Sequence, residues 1–439
     1  LRGGKLVEGF AELERAEQLF GVQFPRSSAR ALTMFVTRQV KIRLRERHFE
    51  FSTADTADAD TSARLDALWE VAAAVGNADF LRGNVYAGEL MLRAMKVGDP
   101  SHVAVASGLQ AIVAAGSNEP ERAQRMFDLA QRAAVASGRT SVWGRVKGMQ
   151  AVCRYLQGQW RQARSLARES QELRQRGAGL NWDHAITVWW EMMAAAVNGQ
   201  VSDLVRRVPE ALRDAEARGD VYAATEFRSH RAVWAWLGPD RPEQADYQVG
   251  IAERQWLPTG YQFQHWHMCL ARIEIDLYRG TPAPSFERLS RDWPRALLLR
   301  NAQGPRVEMR YARARLALAL AVTQPRRAPL LAQARSDARA LRAERVPWAV
   351  ALGDMVETAA ASFDNAAEAG RRLLTLEEQF QAADMPLHVE VCRARRAELS
   401  TGPGQAAELD ATFAAIERFG VANPRRFLDM LLPVNLSGR

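Results

Sequence analysis

The residues that come nearest to a metal-ligand pattern are His265 and His267. They stand two apart in a stretch with helical patterning, so they point to different faces and cannot chelate one ion. One is expected on a surface groove and the other in packing. The three cysteines, Cys153, Cys269 and Cys392, are odd in number, far apart and without a CxxC. That usage argues against a disulfide framework or a zinc site and makes a reducing cytoplasm the expected setting. None lies in a recognisable protease context, and no G-x-S-x-G elbow is present. The acids within Phe51–Thr61 lack the glycine and terminal glutamate of a calcium loop, so that stretch reads as a mobile loop. Kinase chemistry would need a Gly-rich loop before Val-Ala-Ile-Lys, a His-Arg-Asp with its downstream Asn, and an Asp-Phe-Gly, and none is found. There is no Walker A motif either. The chain by itself is therefore expected to be non-catalytic, with no metal and no cofactor.

What remains is binding. Trp182, Trp189, Trp190, Trp234, Trp236 and Trp266 make an aromatic-rich middle. Aromatic residues at helical spacing usually form core because they bury so much area. Trp189 and Trp190 are adjacent, however, so at most one points straight inward, and the other suits an exposed anchor for a partner. A polar row adds to this. Eight residues before successive glycines stand Gln150, Glu191, His230 and Arg272, whereas five before stand the apolar Cys153, Ala194, Val233 and Ile275. With neighbouring positions on the same helical face the row defines a candidate groove of Trp143, Lys147, Gln150, Arg154, His184, Trp190, Glu191, Phe227, His230, Trp234, His265, Arg272 and Asp276. The competing reading is a solvated face of surface helices.

The elements that must carry these residues follow from one turn, Tyr155-Leu-Gln-Gly-Gln-Trp-Arg-Gln-Ala163. Gly158 supplies a left-handed helix end, Trp160 packs across the corner, and Ala163 allows close approach of two helices. Degraded copies recur. Gly116, Gly158, Gly199, Gly238 and Gly280 are spaced by 42, 41, 39 and 42, and suit the ends of first helices. Gly138, Gly177, Gly219, Gly260 and Gly304 are spaced by 39, 42, 41 and 44, and suit the ends of second helices. The chain is thus expected to be all-α, a right-handed α-solenoid of about ten helical hairpins with a period near 40 residues. Residues 1–61 read as a hairpin remnant plus the acidic loop, 62–433 as the solenoid, and 434–439 as a tail. In the first part Leu6, Phe10, Leu13 and Ala16 share one helical face. Leu32, Val36, Val40 and Leu44 share another and predict ordinary amphipathic packing, with the basic run Arg38–Arg47 in solvent. A last helix near Asn423–Leu432 should cap the array.

Net charge is +8, from 59 basic and 51 acidic residues, and only four of the bases are lysine. Scattered arginine of this kind makes no basic stripe, so nucleic acid is not expected as a partner. No apolar run approaches the ~20 residues of a membrane span. The N-terminus, Leu1-Arg-Gly-Gly-Lys5, has neither an initiator Met nor an apolar signal core, which predicts a segment of a larger protein.

The turn at Tyr155–Ala163 resembles the junction of tetratricopeptide repeats. Longer stretches resemble the C-terminal helical-repeat regions of large bacterial serine/threonine protein kinases of myxobacterial and planctomycete type. These are Arg206-Arg-Val-Pro-Glu-Ala-Leu-Arg213, Gly219-Asp-Val-Tyr-Ala-Ala-Thr225, Ile275-Asp-Leu-Tyr-Arg-Gly280, Arg345-Val-Pro-Trp-Ala349 and Ala383-Asp-Met-Pro386. The resemblance implies a regulatory or scaffolding tail that binds a protein or peptide, including its own parent's kinase domain. Two other assignments are carried alongside: the sensor arm of a STAND-type ATPase regulator that binds a small inducer, and a repeat region contributing to an enzyme's active site. An open groove favours the first, a closed apolar pocket the sensor.

Overall fold

The computed structural model describes residues 13, 22–23, 25–52, 57–175, 182–256, 261–400 and 404–434. Among the described residues the chain is all-helical and has no strand. In order the helices are α1 (Ser28–Glu46), α2 (Ala59–Ala78), α3 (Phe80–Val97), α4 (Pro100–Gly116), α5 (Pro120–Ser137), α6 (Thr140–Leu156) and α7 (Trp160–Gln175). There follow α8 (Trp182–Val197), α9 (Val201–Ala217), α10 (Val221–Phe227), a 3-10 turn over His230–Val233, α11 (Trp234–Leu237), α12 (Pro242–Gln255), α13 (Phe263–Arg279) and α14 (Ala283–Asp292). After a second 3-10 turn at Leu299–Asn301 come α15 (Gln303–Thr323), α16 (Ala328–Arg342), α17 (Pro347–Ala361), α18 (Ala366–Ala382), α19 (Pro386–Leu399), α20 (Gln405–Arg418) and α21 (Pro424–Leu431).

Local chemistry starts and stops these helices. Asp58, Asp79, Asp99, Asp220, Asn365 and Asn423 each accept a hydrogen bond from the backbone N–H three residues on. Proline opens α4, α5, α12, α17, α19 and α21, where a missing N–H costs nothing. Gly158 has φ +77°, and a side chain there would also run into the Trp348 ring, 2.5 Å from its Cδ1. Trp160 and Ala163 behind it are buried, as the turn requires. Gly304 does not end a helix. Helix α14 stops early at Asp292, and Gly304 falls in the first turn of α15.

Successive helices pack on one another as hairpins, α2 with α3 through α19 with α20, in an α-solenoid. Helix α21 closes the described chain, and α2 begins at Ala59, inside the stretch read as loop. The face with Leu6, Phe10 and Ala16 lies outside the described residues. Helix α1 is seated the other way round from its apolar row. Leu32, Val36, Val40 and Leu44 are each at least 50% exposed. The helix rests instead on Ala31, Gln39 and Ile42. A polar seam explains the inversion. Arg38 pairs with Glu89 at 2.9 Å, Gln39 bonds Gln110, and Arg122 reaches both Gln39 and Glu46. Charge-assisted bonds to α3 and α5, with an amide pair to α4, thus decide the face that the apolar period alone would have reversed.

The array does not stay open. Trp160 donates from Nε1 to the carbonyl of Ala383 at 3.1 Å, and Asn198 donates to that of Asp384 at 2.8 Å. Ser202 N–H meets Phe419 O at 2.9 Å, and Ala422 N–H meets Gly238 O at 2.7 Å. Gly420, at φ +96°, lies so close to Ser202 that a Cβ would stand 2.6 Å from its backbone nitrogen. The C-terminal hairpins therefore fold back on the middle of the chain. One core runs from Tyr155 to Val434 and another from Val22 to Cys153, with Leu156 packing against both.

Inside the larger core, Arg315 and Glu274 form an ion pair at 2.6 Å with side chains 2% and 1% exposed. Arg315 also donates to Met430 O, and Trp234 Nε1 donates to Glu274. Burial favours the neutral form of the Glu274 carboxyl, but the Arg315 guanidinium outweighs it and lowers the pKa. Removing one partner strands a buried charge, whereas replacing both does not. We expect Glu274→Ala to lose about 3–5 kcal/mol in urea unfolding. The paired change Glu274→Met with Arg315→Met should lose much less. Equal losses would show that the pair itself is not the issue.

Candidate functional site

Where the inner faces of α2, α3, α4, α6, α8, α10, α13 and α15 converge they leave a cleft of about 280 Å3. Its walls are mainly apolar and aromatic: Trp69, Phe80, Leu109, Ile112, Met149, Tyr155, Trp189, Trp190 and Phe263. Room is left because Ala72, Ala73, Gly76, Gly83, Ala87 and Gly148 line it as well. Phe80 and Phe263 meet edge to face at 6.1 Å and so join α3 to α13 across the cleft. Trp190 packs edge-on against Tyr155 at 4.9 Å and Trp189 at 4.8 Å.

One side of this cleft is polar. Glu226, His230, His267 and Glu308 all contribute to its lining. They are delivered by a helix that breaks. Helix α10 ends at Phe227, and His230 takes a left-handed conformation, φ +54°, before the chain resumes as a 3-10 turn and α11. The other left-handed non-glycine residues described are Asn118, Asp240, Arg345 and Asp384, and each sits in a turn between two helices. Only at His230, among the described residues, is such a conformation lodged within a first helix. A non-glycine residue held there is strained. Ser229 Oγ helps divert the chain by bonding back to Thr225 O at 2.7 Å.

The break aims His230 at Glu308. Its Nε2 lies 3.1 Å from that carboxylate, which also accepts from Arg231 at 2.9 Å and from Trp266 Nε1 at 3.4 Å. Beside it, Glu226 accepts from His267 Nδ1 at 2.6 Å and from Gln264 at 3.0 Å. The His267 ring stacks on Trp189 at 5.2 Å and meets His230 edge-on at 4.9 Å. Burial pushes His230 below its ordinary value, against the pull of Glu308, and keeps it neutral. Burial alone would raise Glu308, but His230 and Arg231 hold it well below the usual carboxylate range.

The residues of the polar row are placed in two ways. Gln150 of α6 accepts from Gln131 of α5 at 3.3 Å, and Arg154 of α6 reaches Gln124 of α5 at 3.0 Å. Glu191 of α8, wholly buried, pairs with Arg168 of α7 at 2.8 Å and with Arg207. Arg272 of α13 pairs with Glu253 of α12 at 2.6 Å and with Asp246. Each of these stitches a first helix to the second helix before it, and Glu191 also reaches α9 after it through Arg207. Lys147 does the reverse, pairing with Glu169 of α7 at 3.1 Å while its ammonium sits 5.0 Å over the Trp143 ring. Asp276 accepts from Ser285 of α14 at 2.6 Å, and burial raises its carboxyl. His265 caps its own helix, accepting from Gln262 N–H, and stacks on Tyr261 at 5.7 Å. His184 is half-buried in α8. Phe227 and Trp234 are fully buried in the core.

His230 is the member of the row that turns into the cleft, and Trp190 joins it there. His267, Glu226 and Glu308 complete the polar side and stood outside the groove drawn from periodicity. Among the described residues no group of three or more His, Cys, Asp or Glu is arranged to hold a metal ion. Nor is any helix long and apolar enough to cross a membrane. No family model matches the chain, and neither does any curated protein.

Two outcomes test this description. His230→Ala keeps the strained backbone and loses the imidazole, whereas His230→Gly loses the imidazole and the strain together. The glycine variant should be more stable than the alanine variant by about 1–2 kcal/mol in chemical unfolding. Equal stability would mean that the left-handed conformation is not retained. Acid provides the second. The unfolded chain protonates His230 near its ordinary 6.5 and Glu308 near 4.5, whereas the folded chain resists both. The contribution of His230 and Glu308 to stability is therefore complete above about pH 6.5 and falls as pH drops through both values. The urea midpoint should be lower at pH 5 than at pH 7, and lower again at pH 4.

Proposed function

We propose that this chain is a non-catalytic binding module whose interior cleft takes a small, largely apolar molecule. The observation that carries this reading is the aromatic-walled cleft with polar groups gathered on one side, the usual build of a small-molecule site. A peptide lying along an open concave groove would need free polar side chains to set its register. Gln150, Arg154, Glu191 and Arg272 are spent instead on bonds between neighbouring helices. In a parent protein of the kind the repeats resemble, occupancy of the cleft would be the input to a catalytic domain elsewhere. Such an input requires the ligand to favour one arrangement of the hairpins over another.

Ile112, half-buried on the cleft wall, offers a way to fill the space without touching the polar side. A set of apolar fragments of about 10–15 heavy atoms is screened by thermal shift against the native chain and Ile112→Trp. Fragments are expected to raise the melting temperature of the native chain and to leave the filled variant unmoved. Failure of every fragment, or equal shifts in both proteins, would refute the proposal. Circular dichroism establishes that the filled variant is folded.

A further inference from the structure

Resting on the reading of the cleft as a small-molecule site, we infer that its ligand is an organic ammonium ion with an aromatic or alkyl body. Charge balance is the first support. Two carboxylates, Glu226 and Glu308, line the polar side. Glu308 is paired with the guanidinium of Arg231 at 2.9 Å, while Glu226 is met by His267 and Gln264. The guanidinium among the cleft's own lining residues, Arg145, lies 5.5 Å over the Trp69 ring. Among the described residues no guanidinium or ammonium pairs with Glu226, so a cation brought by the ligand would find a carboxylate partner there. His230 is held neutral by burial and does not supply a cation of its own.

The walls are the second support. Trp190 and Tyr155 line the same cleft, while Trp189 has one face taken by the His267 ring; aromatic π faces attract a cation, most strongly once water is gone. A carboxylate or phosphate ligand would meet the same faces and both glutamates with the wrong sign. A neutral ligand would gain apolar burial alone. Volume sets the size: about 280 Å3 suits a single ring system with a short amine-bearing arm.

The test uses three compounds of nearly one shape: naphthylmethylammonium, naphthylmethanol and naphthoate. Their affinities for the intact chain are measured by isothermal titration calorimetry at fixed ionic strength. The ammonium should bind at least about tenfold more tightly than the alcohol, and the naphthoate most weakly. Glu226→Gln should bring the ammonium to within about threefold of the alcohol measured on the same variant. An alcohol that equals the ammonium, or a naphthoate that exceeds it, overturns the charge assignment and leaves the cleft as an apolar site. Absence of binding by all three, together with no stabilising fragment in the thermal screen, overturns the cleft reading and this inference with it. The ranking on the native chain decides the matter even if Glu226→Gln does not fold.

Discussion

An ion pair with no access to water must be satisfied by protein alone, and Glu274 with Arg315 imposes that demand at the centre of this molecule. Part of their remaining hydrogen-bonding capacity is met by Trp234 from α11 and by Met430 O from α21, while Arg315 Nε stays unpaired. The terminal helix is thereby drawn against the middle of the array. Tyr311 bonds Leu431 O at 2.9 Å and Arg395 bonds Leu432 O at 2.8 Å, so the same stretch of backbone is held from three sides. An open solenoid satisfies its polar groups between neighbours or in water. Here the desolvated pair can exist only because the chain closes, and closure keeps water away from it.

The same contrast separates the stitched faces from the cleft. A polar side chain eight residues before a first helix's end reaches back to the preceding helix in three of the four copies, through Gln150, Glu191 and Arg272. In the fourth copy the helix is broken just before that position, the left-handed backbone swings His230 away from α9, and the imidazole faces Glu308 across the interior. The cleft lies where the stitching is interrupted. Strain at one residue and an aromatic-lined space are then two aspects of one local event, which is why His230 carries more information than its burial alone would suggest.

Much of the fold was legible because hairpin turns are local. The run Tyr155–Ala163 specifies its own geometry through one left-handed glycine, one indole and one small residue, and each behaves accordingly. Periodicity also selected His230, and the adjacency of Trp189 and Trp190 singled out Trp190; both line the cleft. Periodicity could not say which neighbour a face would meet. Leu32, Val36, Val40 and Leu44 form a regular apolar row, yet a carboxylate on α3 and a guanidinium on α5 turned the other side of α1 inward. Glu226 and Glu308 are 82 positions apart and meet only through the path of the array, so no motif marks them. The break at His230 left no trace either, because apolar spacing continues on both sides of it. Closure belongs to the same class of fact: the contact of Trp160 with Ala383 O spans 223 residues.

Closure also bears on how such a chain can change over generations. Open helical arrays lengthen or shorten by whole hairpins, since each unit touches only the next and a duplicated one finds the same neighbours. Here an added or deleted hairpin between Trp160 and Ala383 would carry Phe419 away from Ser202 and Gly420 away from its seat against α9. The indel tolerance typical of repeat proteins is thus confined to the loops, and the count of hairpins becomes a property of the whole molecule. Variation has to proceed by substitution within a fixed number of units, in the manner of a closed β-barrel whose strand number sets its radius.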